Sequence, residues 1–204
     1  NLASLARWYW PAFTAAWAAL SVFWLADLRR RGRGAGGGAR RGVAVWVILG
    51  AAVLVRAPAL LNAPQLSDDI WRYIHDGATL AQGINPYEHP PRDCLAGWCG
   101  HELSTADRGV LSRVNNPDLV TIYLPASQGV FAVLHHFRVM VGDDWGDLTF
   151  RVGFVAWDLV IVPLLLMRLA LDRRSLWWAL LYALHPLAIT EIAHSGHQDS
   201  LGIA

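Results

Sequence analysis

Two adjacent carboxylates, Asp68 and Asp69, follow directly on an apolar run in the segment "LSDDIWRYIHDG". An ionised carboxylate near an apolar surface can act as a general base that removes the proton of an incoming hydroxyl group. A helix N-terminus helps to keep such a carboxylate ionised. The same residues also suit a simple helix start with Ser67 as the cap, but one acid would suffice for that purpose. The second acid therefore favours a chemical role.

A second polar group, "HSGHQDS", holds His194, His197 and Asp199. A histidine pair at i, i+3 with a nearby Asp offers ligands for a divalent metal. Only two imidazoles are available, however, and the intervening glycine indicates a turn. The group is therefore interpreted as the lining of a substrate cleft, and no metal ligand or cofactor is assigned. A requirement for a divalent metal is left as an alternative.

The chain is 54% hydrophobic with a mean hydropathy of +0.31. The polar groups must therefore be positioned by long apolar segments. This composition is typical of membrane proteins and predicts an all-α, polytopic fold. The formal net charge of +1 gives no indication of a nucleic-acid partner. Four runs approach the ~20 apolar residues that cross a bilayer. They cover residues 8–28, 43–61, 148–170 and 176–193.

Arginine-rich turns give the orientation of these predicted spans. The positive-inside rule places both the loop "RRRGRGAGGGARRG" and the turn "LDRRS" in the cytoplasm. The arginines of the loop are therefore interpreted as a topology signal rather than as a binding site. Asp68, Asp69 and the histidine segment then lie on the outer face. Residues 123–141 would form a re-entrant or interfacial helix within an outer loop of about 62–147.

The outer loop itself contains one clear helix signal, from Asp68 to Gln82, with Ser67 as cap and Gly83 at its end. The small and apolar residues of one face predict an amphipathic helix that lies on the membrane or against the bundle. They are Ile70, Ile74, Gly77, Ala78 and Ala81. Cys94 and Cys99, further along the loop, form either a disulfide or two free thiols.

Three ionisable side chains fall at membrane depth, where such groups are candidates for function. Asp158 either takes part in a polar pathway or pairs with an arginine such as Arg151. Glu191 is close enough to the outer end to reach water. Arg56 either extends to the interface or contacts an anionic headgroup.

An ordered set of motifs resembles the N-terminal half of bacterial GT-C glycosyltransferases. They are "LSDDIWRYIHDGATLAQGINPYEHPP", "NNPDLVTIYLPASQ", a membrane helix with an internal Trp-Asp, a basic turn, and "LHPLAITEIAHSGHQDSLGI". The pattern is similar to polyprenol-phosphate-mannose-dependent mannosyltransferases and to the catalytic subunit of GPI mannosyltransferase I. It covers about residues 43–204, so residues 1–42 are interpreted as an extra helix and basic loop, and the chain as the first part of a longer protein.

The resemblance implies an integral-membrane enzyme that transfers a hexosyl unit, most of all a mannosyl unit, from a polyprenyl-phosphate donor. The transfer would invert the configuration at the anomeric carbon. The acceptor would be a glycan or lipid-linked molecule on the outer, periplasmic face of a bacterial inner membrane. By position, Asp68 would be the base and Asp69 its partner, while Arg56 and Arg72 would contact the donor phosphate. The cleft would be lined by Tyr73, Asn85, Tyr87, Tyr123, His194, His197 and Asp199. A transporter or flippase, or a non-catalytic scaffold subunit, is the alternative.

Overall fold

The structure is a computed structural model that describes residues 18, 22, 38–64, 66–97, 105–142 and 146–203. Within these residues the chain is helical and contains no strand, which confirms the predicted all-α class. The elements are α1 (Gly38–Leu60), α2 (Asp69–Ala81), α3 (Pro91–Leu95), α4 (Thr105–Leu111), α5 (Pro125–Val141), α6 (Leu148–Leu171), α7 (Leu176–Ala183) and α8 (Pro186–His194). The predicted span 8–28 and most of the arginine-rich loop fall outside the described residues.

Among the described residues, two continuous helices are long and apolar enough to cross a bilayer: Arg41–Leu60 within α1, and Leu148–Leu171. α1 buries Ile48 and Ala52 against the bundle but leaves Trp46 and Leu54 largely exposed. Large exposed apolar side chains on such a helix are typical of a surface that faces lipid. The chain is therefore an all-α membrane protein.

The segment predicted as one span over 176–193 is instead broken into α7 and α8, whose axes differ by 49°. The break lies at Leu184 and His185, directly before Pro186. Proline has no backbone N–H and drives the preceding residue out of the helical region, and His185 is accordingly extended, with ψ of 122°. The prediction of a continuous helix was wrong here, although the pair is still long enough to form a third span.

Three helix ends meet on one side of the bundle. Arg151 of α6 donates hydrogen bonds to the carbonyl of Ala59 in α1, at 2.7 Å, and to that of Ala193 in α8, at 3.1 Å. The last turn of α1, the first turn of α6 and the last turn of α8 are thereby held together. We call this side of the bundle the site end, because the candidate residues lie there.

α2 follows the prediction closely, since it begins at Asp69 and ends at Ala81, just before Gly83 in the left-handed region (φ 79°). It does not lie free on a surface. Its polar side chains Arg72, His75 and Asp76 are buried together with the predicted apolar face. α2 is therefore enclosed by the rest of the outer loop and the bundle.

α5 supplies most of this enclosure. It is one uninterrupted helix of 17 residues, which fits the interfacial alternative better than a re-entrant loop. At its crossing with α2 the backbones almost touch: a methyl group added to Gly77 would overlap the carbonyl oxygen of Phe131 and lie 2.7 Å from its carbon. Only glycine permits this approach.

Gly77→Ala is expected to lower the free energy of unfolding by about 1–3 kcal/mol, because the neighbour that must move is backbone and cannot rotate away. The thermal unfolding midpoint of the detergent-solubilised protein measures the effect. Gly129→Ala on α5 is the matched control, since a methyl group there meets no atom of the described residues within 4 Å. Equal midpoints for the two variants would contradict the close crossing.

The outer loop is fastened near its middle. Cys94 of α3 is buried against Leu111 and Val114 and is disulfide-bonded. Of the two alternatives predicted from the sequence, a disulfide or two free thiols, the structure has the disulfide. The other cysteine of the chain, Cys99, lies outside the described residues.

Candidate active site

The acid pair stands at the start of α2, where its two carboxylates take different roles. Ser67 Oγ accepts a hydrogen bond from the Asp69 backbone N–H at 3.2 Å, as predicted, but the cap position of the helix is Asp68 rather than Ser67. Asp68 is exposed and makes no side-chain capping bond to the helix. Asp69 is partly buried, and its Oδ1 accepts from Asn115 Nδ2 at 3.4 Å. Capping thus leaves both carboxylates available for chemistry.

The segment after α8 folds back onto this pair. Gly196, in the left-handed region with φ of 75°, turns the chain, and the His197 N–H then donates to the Glu191 carbonyl at 2.8 Å. The turn directs His197 towards α2, where its Nε2 lies 3.9 Å from Asp69 Oδ2. Residues more than 120 positions apart are thereby brought to one place.

His197 is surrounded by three carboxylates, which we call the acid cluster: Asp69, Glu191 and Asp199. Its Nδ1 lies 3.7 Å from Glu191 Oε2 and 3.6 Å from Asp199 Oδ2. These distances exceed those of direct hydrogen bonds, and the His197 Nε2 atom is buried with no hydrogen-bond partner among the described residues. Among the described residues, no set of three or more His, Cys, Asp or Glu side chains converges on a possible ion position.

A group of tyrosines adjoins the acid cluster. The rings of Tyr73 and Tyr123 meet edge to face with centroids 4.9 Å apart. Burial, followed by nearby charges including that of Asp69, raises the pKa of both phenols above the ordinary value. Both therefore stay protonated as hydrogen-bond donors. Tyr87 fixes this group from outside, because its hydroxyl donates to the Tyr123 carbonyl at 2.5 Å.

Asn85 and His194 do not join these groups. Asn85 holds its own turn, accepting from the Tyr87 N–H at 3.1 Å and donating to Glu88 at 2.9 Å. His194 is hydrogen-bonded to the backbone of Ala59 at the end of α1. Each therefore has a structural contact that accounts for its position.

Arg72 belongs to a buried network on the inner side of α2. Its Nε donates to Asp76 Oδ1 at 2.8 Å, and Gln128 of α5 donates to Asp76 Oδ2 at 3.0 Å and to Thr121 at 2.7 Å. The Arg72 Nη2 atom has no hydrogen-bond partner among the described residues. One donor of this guanidinium is thus left over.

Arg56 lies elsewhere, deep between the spans. Its side chain is 1% exposed and is ion-paired through Nε with Asp158, while its Nη1 donates to the carbonyls of Ala52 at 3.1 Å and Ala183 at 2.7 Å. This placement does not fit the predicted contact with a donor phosphate. It also corrects the partner of Asp158, which is Arg56 rather than Arg151.

The polar pathway that a transporter requires is not favoured by this arrangement. Asp158 is fully buried, and its second oxygen accepts from the Tyr182 hydroxyl. Arg56, Asp158 and Tyr182 thus form a buried group that joins α1, α6 and α7, although the Arg56 Nη2 atom has no hydrogen-bond partner among the described residues. A carboxylate satisfied in this way serves the packing of the spans.

The site end also carries a shallow, open groove of about 290 Å³ between α1 and α6. Leu60, Leu61 and Leu148 form its apolar wall, and Asn62, Asp147 and Arg151 form its polar wall. A groove with both kinds of wall at the end of two spans suits a molecule with an apolar tail and a polar head.

Comparison with known proteins decides the family. Residues 5–108, about half of the chain, match the N-terminal domain of alpha-(1->6)-mannopyranosyltransferases. The chain belongs to this family. No match was found among curated proteins or among solved structures.

The family match confirms the resemblance to mannosyltransferases of the GT-C type. The matched region contains α1, the acid pair and the Arg72–Asp76 ion pair, but not Gln128 or Thr121 of the same network. It also includes residues 8–28, which the sequence analysis set apart as an extra helix. α5 and the His197 segment lie beyond it, so their place in the site follows from the structure.

Some residues of the candidate site were missed from sequence. "NNP" indicates a turn, but no local signal shows that the Asn115 carboxamide faces Asp69, which lies 46 residues earlier. Glu191 was noted for its depth alone, and its closeness to His197 depends on the π-helical turn Ile189–His194. Such turns are rare, and composition does not predict them.

Proposed function

We propose that the protein transfers a mannosyl unit from a polyprenyl-phosphate donor to a hydroxyl group of a glycan or lipid-linked acceptor, forming an alpha-(1->6) linkage. The observation that carries this proposal is the meeting of the acid pair with the His197 segment at the ends of the spans. Membership of the mannopyranosyltransferase family supports the sugar and the linkage.

In the proposed reaction Asp68 removes the proton from the acceptor hydroxyl as its oxygen attacks the anomeric carbon of the mannosyl group. The new C–O bond forms while the bond to the phosphate oxygen breaks, and polyprenyl phosphate leaves with the electron pair. An inverting attack that yields an α linkage requires a β-linked donor. The exposure of Asp68 supports this role, because the base must reach a hydroxyl from solution or from another lipid.

Asp69 is the proposed partner, which orients the acceptor together with His197. The protonated hydroxyls of Tyr73 and Tyr123 lie near enough to Asp69 for its charge to raise the pKa of both phenols. Groups fixed in this way raise the rate through proximity, because the acceptor loses its freedom before the chemical step. The partly exposed ring of Tyr123 suits the apolar face of a sugar, whereas the ring of Tyr73 is 2% exposed and stacks on Phe131 in the core, which does not fit its predicted place in the cleft lining.

The leaving phosphate needs positive charge near the site end. Arg72 is the proposed source, because its Nη2 is the donor left over in the buried network. The groove beside Arg151 would receive the part of the donor where the phosphate joins the isoprenoid chain. Guanidinium stabilises phosphate charge through paired hydrogen bonds.

The outer, periplasmic face of a bacterial inner membrane is the proposed side of the reaction. Arg168, Arg173 and Arg174 lie at the opposite end of α6 from the site end. Arginines collect on the cytoplasmic side of spans. The acid cluster would therefore face outward.

Reconstituted full-length protein tests the donor class. We expect labelled mannose to pass to an acceptor glycan from β-linked polyprenyl-phosphate mannose and not from a nucleoside-diphosphate mannose, with the product sensitive to an α-1,6-mannosidase. Transfer from the nucleotide donor in the absence of the lipid donor would overturn the proposal. A folded protein without transfer from either donor would indicate the scaffold alternative.

A further inference from the structure

Arg113 of the outer loop is held beside the acid pair by the first turn of α2. Its Cζ atom lies 4.5 Å from the centre of the Trp71 ring, two residues after Asp69. A guanidinium over an aromatic ring is attracted by the negative charge of the ring face. Two residues further along the loop, Asn115 donates to Asp69 Oδ1 at 3.4 Å. The segment 113–115 therefore places a guanidinium and a carboxamide next to the acid pair.

The segment that carries Arg113 is anchored on its inner side. Leu111 and Val114 are buried and pack with the disulfide-bonded Cys94 of α3. Arg113 and Asn115 stand on either side of Val114 in the sequence, and both are exposed. Because buried neighbours fix the backbone between them, a ligand that meets the two side chains needs to order little of the chain.

Arg113 differs from Arg72 and Arg92 of the same outer loop in its partners. Arg72 pairs with Asp76 at 2.8 Å, and Arg92 pairs with Asp118 at 2.6 Å. Within the part of the chain that the structure describes, the N–H groups of Arg113 make neither a hydrogen bond nor an ion pair. The guanidinium therefore has exposed donors to which these residues present no acceptor oxygen.

The contact with Trp71 also leaves the proposed base unpaired. Arg113 and Asp68 are both exposed, yet they form no ion pair within 4 Å. A carboxylate paired with a guanidinium is a weaker base, because the pair stabilises its ionised form. A negatively charged molecule that approaches Asp68 and Asp69 is repelled by both, and a nearby cation offsets this repulsion. The arrangement thus keeps the base available and offers positive charge to an arriving anion.

We propose that Arg113 and Asn115 form a subsite for a phosphate group carried by the acceptor, with Arg113 as the residue that determines this specificity. Guanidinium N–H groups match phosphate oxygens in pairs, and the Asn115 carboxamide adds a donor on the same segment. Arg72 is on the inner side of α2, where the donor phosphate is proposed. Arg113 is exposed together with Asp68, which receives the acceptor.

This inference rests on the proposed function, because it narrows the class of acceptor. A glycan or lipid-linked acceptor would carry a phosphate close to the hydroxyl that is mannosylated. The acceptor would then be held at two points, by its hydroxyl at Asp68 and by its phosphate at Arg113. Attachment at two points fixes the orientation of the hydroxyl before the chemical step.

Two acceptors that differ in one group test the proposal with reconstituted full-length protein. Both are α-mannosyl glycerols with an octyl chain, which is joined to the glycerol through a phosphodiester in one and through an ether in the other. Arg113→Gln removes the charge, and Arg113→Lys keeps the charge without the paired N–H groups. Arg92→Gln is the matched control, because it changes an exposed arginine of the same loop that is already paired with Asp118.

We expect the phosphodiester acceptor to have a KM about 10-fold lower than the ether acceptor in the unchanged protein, as for one hydrogen-bonded charge pair. Arg113→Gln should raise the KM of the phosphodiester acceptor by about the same factor. The kcat, the KM of the ether acceptor and the KM of the lipid-linked donor should not change. Arg113→Lys should keep part of the preference, and Arg92→Gln should keep all of it.

Equal KM values of the two acceptors in the unchanged protein would overturn the proposal. An equal loss with both acceptors in Arg113→Gln would overturn it too, because it would show a role in the fold of the loop. A rise in the donor KM alone would assign the guanidinium to the donor phosphate instead. If no transfer occurs with either acceptor, the proposed function fails, and calorimetric binding of the same two compounds decides the inference. Tighter binding of the phosphodiester compound must then be lost in Arg113→Gln.

Discussion

Asp68→Asn is expected to lower the rate constant of mannosyl transfer by about 10²- to 10⁴-fold, the range found when a positioned general base is removed. The carboxamide has nearly the same shape as the carboxylate but cannot accept the acceptor's proton. Asp68 is exposed and makes no capping bond, so the fold should be unaffected. The loss is expected in kcat more than in KM, and initial rates with saturating lipid-linked donor measure it.

Two further variants make this test specific. Asp118→Asn removes an exposed carboxylate of the same outer loop, which is paired with Arg92 at 2.6 Å, and should leave transfer close to that of the unchanged protein. Asp69→Asn should reduce transfer less than Asp68→Asn, because Asp69 orients the acceptor without taking its proton. A larger loss for Asp69→Asn would exchange the two assignments, and full activity in both variants would exclude the acid pair.

The second large effect is expected in stability. Asp158→Asn leaves the Arg56 guanidinium charged and unpaired between the spans, and removal of one partner of a buried ion pair costs about 3–5 kcal/mol. We expect a marked fall in the thermal unfolding midpoint and in the yield of folded protein. Arg168 and Asp172 form the matched control on the same helix, because their ion pair of 3.0 Å is exposed. Asp172→Asn should cost less than about 1 kcal/mol.

A double variant separates lost packing from uncompensated charge. Arg56→Met with Asp158→Leu removes both charges and should recover most of the stability that Asp158→Asn loses. A double variant as unstable as the single one would show that hydrogen bonds to Ala52, Ala183 and Tyr182 matter more than charge. An unchanged unfolding midpoint in Asp158→Asn would contradict the structural role and return Asp158 to the transporter hypothesis.

Local signals were sufficient for the elements near the acid pair. The start of α2 is signalled by Ser67 and the two acids, and its end is signalled by Gly83. The helix lies within one residue of its predicted bounds. The two continuous spans followed equally well from apolar length. Such features depend on neighbours in the chain, so one sequence is enough to find them.

Contacts between distant segments were not available from sequence in the same way. Their predicted depth in the membrane identified Arg56 and Asp158 as side chains that need partners, and Arg151 was named as a possible partner of Asp158. The actual pairing depends on the rotation of each span about its axis. Periodicity does not fix that rotation when a helix is apolar nearly all round. The meeting of His197 with Asp69 likewise depends on the turn at Gly196.

The interruption before Pro186 bears on the buried ion pair. In an unbroken helix the carbonyl of Ala183 would accept from the N–H of Leu187, but that N–H donates instead to His185 Nδ1 at 3.2 Å. The carbonyl of Ala183 is thereby released and becomes the 2.7 Å acceptor for Arg56. A substitution that made the helix continuous through Pro186 would engage the Ala183 carbonyl within the helix and remove this hydrogen bond of Arg56. The break in the helix and the buried position of Arg56 are therefore coupled.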